Sequence, residues 1–328
     1  MSGETFRPVR IGVIGAGNFG RLHAHTLAGL AESELVAIVD KRRANLKTLP
    51  STLREVPNWS QLDRALESCD AQAWVVACST ADHVPVAQAI LAAGLPVLLE
   101  KPISIDLESA QALSPFIKPE SSNLMMGHIL LFGSEFRGLR AELERRGPVA
   151  FINSVRHRSI EHLELYPGES PLRLIMIHDL YMTSVLTGGA EPAAFSYTRR
   201  RSESGQEDLS LVTLRWSDGT VASLAATFLT PPGMYADGFD RIEVFGRGWA
   251  GRANPIPRPL EIWDDRARSP MNLEVMVDTG PPAGMLAEEL RHFCRVVRGR
   301  APVPIGARYE DAVQIEHWLK KLEQSAEG

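Results

Sequence analysis

The chain has 328 residues, of which 44% are hydrophobic and 23% charged, and it carries a net charge of −5. That length exceeds one typical core and suits two domains of ordinary globular composition. A mildly acidic balance gives no general affinity for nucleic acid or for a membrane surface.

Three cysteines, Cys69, Cys78 and Cys294, are far apart and odd in number, so neither a disulfide framework nor a zinc site is expected. A reduced, cytoplasmic setting fits that usage. "MSGETFRPVR" lacks the apolar stretch of a signal peptide, and no apolar run approaches the roughly 20 residues of a membrane span.

The first third alternates strands with helices. "VRIGVIGAGNFGRLHAHTLAGL" reads as a strand, a glycine turn and a helix, with Leu22, Ala24, Leu27 and Leu30 at helical spacing. "ELVAIVD" is a second strand ending at Asp40, and "WSQLDRALES" a helix with Ser60 as its N-cap. "AQAWVVACST" is a strand, and "DHVPVAQAILAAG" a helix stopped by Gly94. "PVLLE", "DLESAQALSPFI" and "NLMMGHILLF" follow as strand, helix and strand. Such alternation implies an α/β domain, a doubly wound parallel sheet of Rossmann type, over residues 1–125.

From 126 to 328 the pattern becomes α+β. A helix, "SEFRGLRAELERRG", precedes the strand-like runs "VAFINSVRH", "AAFSYTR", "DLSLVTLRW", "TVASLAATFL" and "FDRIEVFG". "SDG" at 217–219 signals a hairpin. "LRLIMIHDLYMTSVLTGG" reads as a helix, and two more, "GMLAEELRHFCRVVRG" and "ARYEDAVQIEHWLKKLEQ", close the chain. A predominantly antiparallel open sheet with helices to one side is expected, and the last helix can return to the first domain. Residues 250–282, rich in proline and arginine, read as a long loop around strands near Leu260–Trp263 and Leu273–Val277.

Gly15-Ala16-Gly17-Asn18-Phe19-Gly20 fits G-x-G-x-x-G, follows a strand, opens a helix and lies 20 residues before Asp40. The first glycine permits the tight turn, the second lets backbone approach a pyrophosphate, and the third lets helix and strand pack closely. The helix N-terminus then presents N–H groups to the phosphates. Asp40 suits the ribose hydroxyls of NAD and repels a 2′-phosphate, although Lys41, Arg42 and Arg43 would attract one. NAD is therefore expected ahead of NADP. A second signal is "PVLLEKPIS": an apolar strand runs straight into Glu100, Lys101 and Pro102. Lysine is rarely buried, so one locked at the end of a core strand calls for a reason. Lys101 lies at the carboxyl edge of the sheet, where α/β folds bind ligands.

The glycine turn, Asp40 and "EKP", in this order and spacing, resemble the glucose–fructose oxidoreductase / inositol dehydrogenase family, also called Gfo/Idh/MocA. "ACSTADHVPVAQAILAAGLPVLLEKPIS", "MMGHILLF" and "IMIHDLYM" extend the likeness over nearly the whole chain. The resemblance implies an oxidoreductase acting on a secondary hydroxyl of a sugar, cyclitol or sugar nucleotide, and a homo-oligomer, dimer or tetramer, formed through the open sheet. It implies that Lys101 and His178 are catalytic, the lysine aimed by an often cis Lys-Pro peptide. It implies cofactor contacts from Gly15, Gly17, Asn18, Phe19, Gly20, Asp40, Ser79, Thr80, His83, Glu100 and Lys101. His128, Arg156 and Asp179 are the implied substrate contacts.

Two departures stand out. Many relatives carry an aspartate four residues before the histidine, where Leu174 stands, and an arginine where Leu131 stands. Asp179 follows His178 directly, and neighbours in sequence do not face one another on a helix; it is expected to bind substrate or another chain segment. Arg156 and Arg158 together suit a diphosphate or carboxylate. The histidines lack metal-ligand spacing, so no metal is expected. Two rival readings remain: an NADP-linked keto-sugar or imine reductase, and a non-catalytic dinucleotide-binding sensor or partner subunit.

Overall fold

A computed structural model describes residues 7–234, 240–254, 262–263, 267–268 and 282–327. The strand expected near Leu273–Val277 lies outside the described residues, and of the one near Leu260–Trp263 only Ile262–Trp263 is described, as a strand. The chain divides into two compact units, residues 1–129 with 274–313, and 130–273 with 314–328. Six helices matter below: α1 (Asn18–Gly29), α2 (Thr80–Ala92), α3 (Ser134–Arg146), α4 (Ile177–Leu186), α5 (Met285–Val297) and α6 (Tyr309–Ser325).

The first unit holds a six-stranded sheet built from β1 (Val9–Ile14), β2 (Ser33–Val39), β3 (Asn58–Trp59), β4 (Ala73–Val76), β5 (Val97–Glu100) and β6 (Leu124–Gly127). Its order is β3-β2-β1-β4-β5-β6, and every pairing is parallel. Ile11, Val13, Val75, Val76, Leu98 and Leu99 are all buried, as strands covered on both faces require. Strand order reverses between β1 and β4, and the carboxyl ends there open the crevice in which such sheets bind ligands. A boundary at 125/126 would cut β6, which pairs with β5 through Gly127; the division falls after 129 instead. Helix α5 belongs to this unit and packs against α1. Ser60 does not cap a helix: the helix Leu62–Ser68 starts after Gln61 without a side-chain cap.

The second unit carries β7 (Val149–Ser159), β8 (Ala194–Arg201), β9 (Glu207–Arg215), β10 (Val221–Thr230), β11 (Arg241–Gly246) and β12 (Trp249–Ala253). Their order is β12-β11-β7-β10-β9-β8, and Ala326–Glu327 adds a short strand beside β8. The sheet is mixed and mostly antiparallel; β7 with β10 and the terminal strand with β8 are parallel. Gly219, at φ +92°, makes the β9–β10 turn that "SDG" signals. Alternation sends Val212, Leu214, Leu224 and Val244 inward. Phe151, Leu211 and Phe245 remain exposed, and the two phenylalanine rings stack 5.7 Å apart. Helix α4 is preceded by a π-turn, Leu172–Met176. Among the described residues no helix is long and apolar enough to cross a membrane.

Candidate nucleotide cleft and active site

The carboxyl ends of β2, β1 and β4 enclose a cavity of about 320 Å³. Gly15, Gly17, Asn18, Phe19, Asp40 and Ser79 line it, so six of the expected cofactor residues come together. The glycines divide the labour. Gly15 has φ +99°, and a Cβ on it would lie 2.3 Å from the Ala77 carbonyl oxygen. A Cβ on Gly20 would lie 2.0 Å from the Gly15 carbonyl oxygen, so this glycine sits beneath the turn. A Cβ on Gly17 would meet nothing within 4 Å, which leaves room at the turn for a pyrophosphate. No side chain caps the start of α1, and its first turn holds no acid, so its N–H groups suit an anion. The residues present fit a dinucleotide.

Asp40 lines the cavity and also holds its surroundings together. Its carboxylate accepts hydrogen bonds from the Ala16 N–H (2.8 Å), the Arg42 N–H (2.7 Å) and the Asn45 amide (2.8 Å). Burial pushes its pKa up, but the bonds from Asn45, Ala16 and Arg42 outweigh burial and hold it below the ordinary value. Lys41, the first of the basic trio, reaches Asp82 at 2.6 Å. That bond and one from Ser79 keep Asp82 below its usual range. Cys78 is no nucleophile here, since burial pushes its thiol up to about 11.

Glu100, Lys101, Thr80, His83 and His128 lie outside that cavity's lining. Lys101 follows β5 directly at the same carboxyl edge, half-buried, and its peptide bond to Pro102 is cis. His83 is buried, with Nδ1 2.8 Å from the Pro102 carbonyl oxygen and Nε2 3.3 Å from that of Cys78. It thus braces the turn after Lys101 against the turn after β4. Burial pulls its pKa below the usual value despite those bonds. Glu100 turns inward, with His23 Nε2 at 2.8 Å from one oxygen, while the other accepts the Lys101 N–H at 3.3 Å. His23 and Glu289 were not legible as site residues; the structure brings both to Glu100. A histidine three positions after Gly20, on the buried face of the helix, was the available signal for His23.

In the second unit His178 is half-buried on α4, and Leu174 is likewise half-buried. Asp179 turns the other way into the interior. It accepts hydrogen bonds from Arg156 Nε (2.9 Å) and the Ser154 hydroxyl (2.7 Å). Asp240 takes Arg156 from the other side at 2.6 Å and holds Arg158 through both carboxylate oxygens. Burial works against the Arg156 charge, but Asp179 and Asp240 outweigh it and raise its pKa. Arg156 and Arg158 are therefore engaged by internal acids, and Asp179 is the partner of another chain segment.

Residues 9–128 match the oxidoreductase family with an NAD-binding Rossmann fold, GFO/IDH/MocA, and residues 135–248 match that family's C-terminal domain. The chain belongs to the GFO/IDH/MocA family. It is an oxidoreductase with an NAD-binding Rossmann domain. It is 30% identical over 223 residues to a UDP-N-acetylglucosamine 3-dehydrogenase of Acidithiobacillus ferrooxidans, covering 67% of each chain. It is 27% identical over 283 residues to an inositol 2-dehydrogenase of Rhizobium meliloti, covering 80% of this chain and 82% of that one. GenD2 from gentamicin A biosynthesis, solved in complex with NAD, has the same fold: TM-score 0.80 at 21% identity, over 97% of this chain and 94% of that one.

Proposed function

We propose that this GFO/IDH/MocA protein oxidises a secondary hydroxyl of a sugar, cyclitol or sugar nucleotide, with NAD taking the hydride. The observation that supports it best is that the glycine turn, Asp40 and Lys101 stand at the same carboxyl edge of one parallel sheet, after β1, β2 and β5. The Lys101 ammonium donates a hydrogen bond to the reacting oxygen and stabilises its alkoxide character. His178 takes the hydroxyl proton, for which an imidazole has a suitable intrinsic pKa. The product is a ketone, with the proton on His178 and the hydride on the cofactor. Helping residues at Leu174 and Leu131 are lacking, so Lys101 carries more of the polarisation. The protein acts in the cytoplasm as a homo-oligomer, for which the exposed Phe151, Leu211 and Phe245 offer an apolar sheet face.

The test is NADH formation against inositols, free aldoses and UDP-sugars, on wild type and Lys101→Ala together. Turnover on one class, lowered ~10²–10⁴-fold in the variant with NAD affinity retained, is the expected result. Tight NAD binding with no turnover on any class would favour a sensor or partner subunit. Preference for NADP would favour the keto-sugar or imine reductase.

A further inference from the structure

Three titratable groups from distant parts of the sequence meet inside the first unit. His23 from α1, Glu100 at the end of β5 and Glu289 from α5 offer ligand atoms within 4.8 Å of one another. His23 and Glu289 are wholly buried, and Glu100 is 8% exposed. Glu100 has donors, His23 Nε2 at 2.8 Å and the Lys101 N–H at 3.3 Å. Neither oxygen of Glu289 has a hydrogen-bond partner, and nor does His23 Nδ1. The His128 backbone N–H bonds the Met126 carbonyl at 3.0 Å; it favours the ionised form of Glu289 without making a hydrogen bond to it, and burial and the Glu100 charge outweigh it.

Two ionised carboxylates this close in a dry interior repel each other, and an ionised carboxylate can only accept hydrogen bonds. A proton on one of them removes the repulsion and supplies the missing donor. Glu289, the deeper and unpartnered acid, is its place. The geometry points to Glu289 as a positioning residue: as a protonated carboxylic acid it donates to the Glu100 carboxylate and thereby fixes the backbone from which Lys101 projects. Burial and the Glu100 charge both raise the Glu289 pKa well above its usual value, in keeping with that geometry. His23 Nε2 faces Glu100 from the other side at 2.8 Å, while its Nδ1 has no partner. Gly127 shows how closely the cluster is built. A Cβ there would lie 2.7 Å from a Glu100 carboxylate oxygen. A metal ion fits less well, since His23 and Glu100 already stand at hydrogen-bond distance and the cluster is closed to solvent.

The consequence for turnover rests on the proposed role of Lys101; the proton itself does not. Infrared difference spectra of wild type against Glu289→Gln at neutral pH test the proton without any substrate. The expected result is a carboxylic-acid C=O band in wild type that is lost in the variant. Lysines labelled by isotopic reductive methylation, with the Lys101 resonance assigned by Lys101→Arg, test the positioning. That resonance should stay in place in Glu289→Gln, whose amide still donates, and move in Glu289→Leu. If Glu289→Leu does not fold, Gly127→Ala displaces the Glu100 carboxylate directly and should move the same resonance. Absence of the band, its persistence in Glu289→Gln, or an unmoved Lys101 resonance in Glu289→Leu or Gly127→Ala would overturn the proposal. Loss of the band on adding zinc, with a rise in Tm, would also overturn it in favour of a cation site.

Discussion

The second unit buries Arg156, Asp179 and Asp240, with Arg158 at their edge, and matches each acid to a guanidinium. The first buries His23, Glu100 and Glu289, two carboxylates with only an imidazole among them. Both clusters lie beside a residue expected to act on substrate, His178 in one and Lys101 in the other. In the second unit, charge is cancelled by charge, and the geometry is held by bidentate bonds. In the first, neither oxygen of Glu289 has a hydrogen-bond partner, and on the proposal above a proton completes the cluster. A matched cluster is rigid but intolerant of losing a member. A cluster completed by a proton tolerates any replacement that can still donate.

That contrast can be broken most sharply at Asp179. Asp179→Leu strands part of the Arg156 charge in the interior and should cost ~3–5 kcal/mol, read by urea unfolding. Removing both partners, with Arg156→Met and Asp179→Leu together, should cost less than the single change, under about 2 kcal/mol, because Asp240 keeps Arg158. A double-mutant cycle checks it, and a double variant no better than the single would show that the pair is not a unit.

Acid gives a smaller and differently placed effect. The buried His83 has a folded pKa below its usual 6.5, so the unfolded chain takes up the proton first. Its contribution to stability is therefore present above 6.5 and is lost as pH falls below it. His83→Phe should make the fall in stability between about pH 7 and about pH 5 shallower. It should not abolish the fall, since burial also lowers His157 and His162 in the second unit. An unchanged pH dependence of the unfolding free energy across that range would count against the lowering of His83 by burial. The smallest change is expected at Glu289→Gln, within about 1 kcal/mol of wild type, because an amide replaces a neutral acid. A loss as large as that of Asp179→Leu would mean that the two clusters are not different in kind.

Much of the first unit was legible because its signals are local. The glycine turn, the acid at the end of β2 and the strand running into Lys101 each span a few residues. The second sheet was legible from alternation, except β12, where Trp249–Ala253 is short and partly exposed. The clusters were not legible, because their members lie 77 residues apart in one bond and 84 in another. Arg156 read as a substrate contact, since nothing in its neighbourhood announces Asp240. The pairing assumed between positions 174 and 178 also presumes a regular helix, whereas a π-turn lies between them.

Asp40 carries one more consequence. The carboxylate expected to repel a 2′-phosphate also ties the glycine turn, through Ala16, to the loop after β2. On that expectation, cofactor choice and the shape of the phosphate cradle rest on a single side chain. A lineage drifting toward the other cofactor could not simply exchange that residue. It would first need a second tether for the turn, and descendants that made the change should carry the trace of that substitute near Asn45.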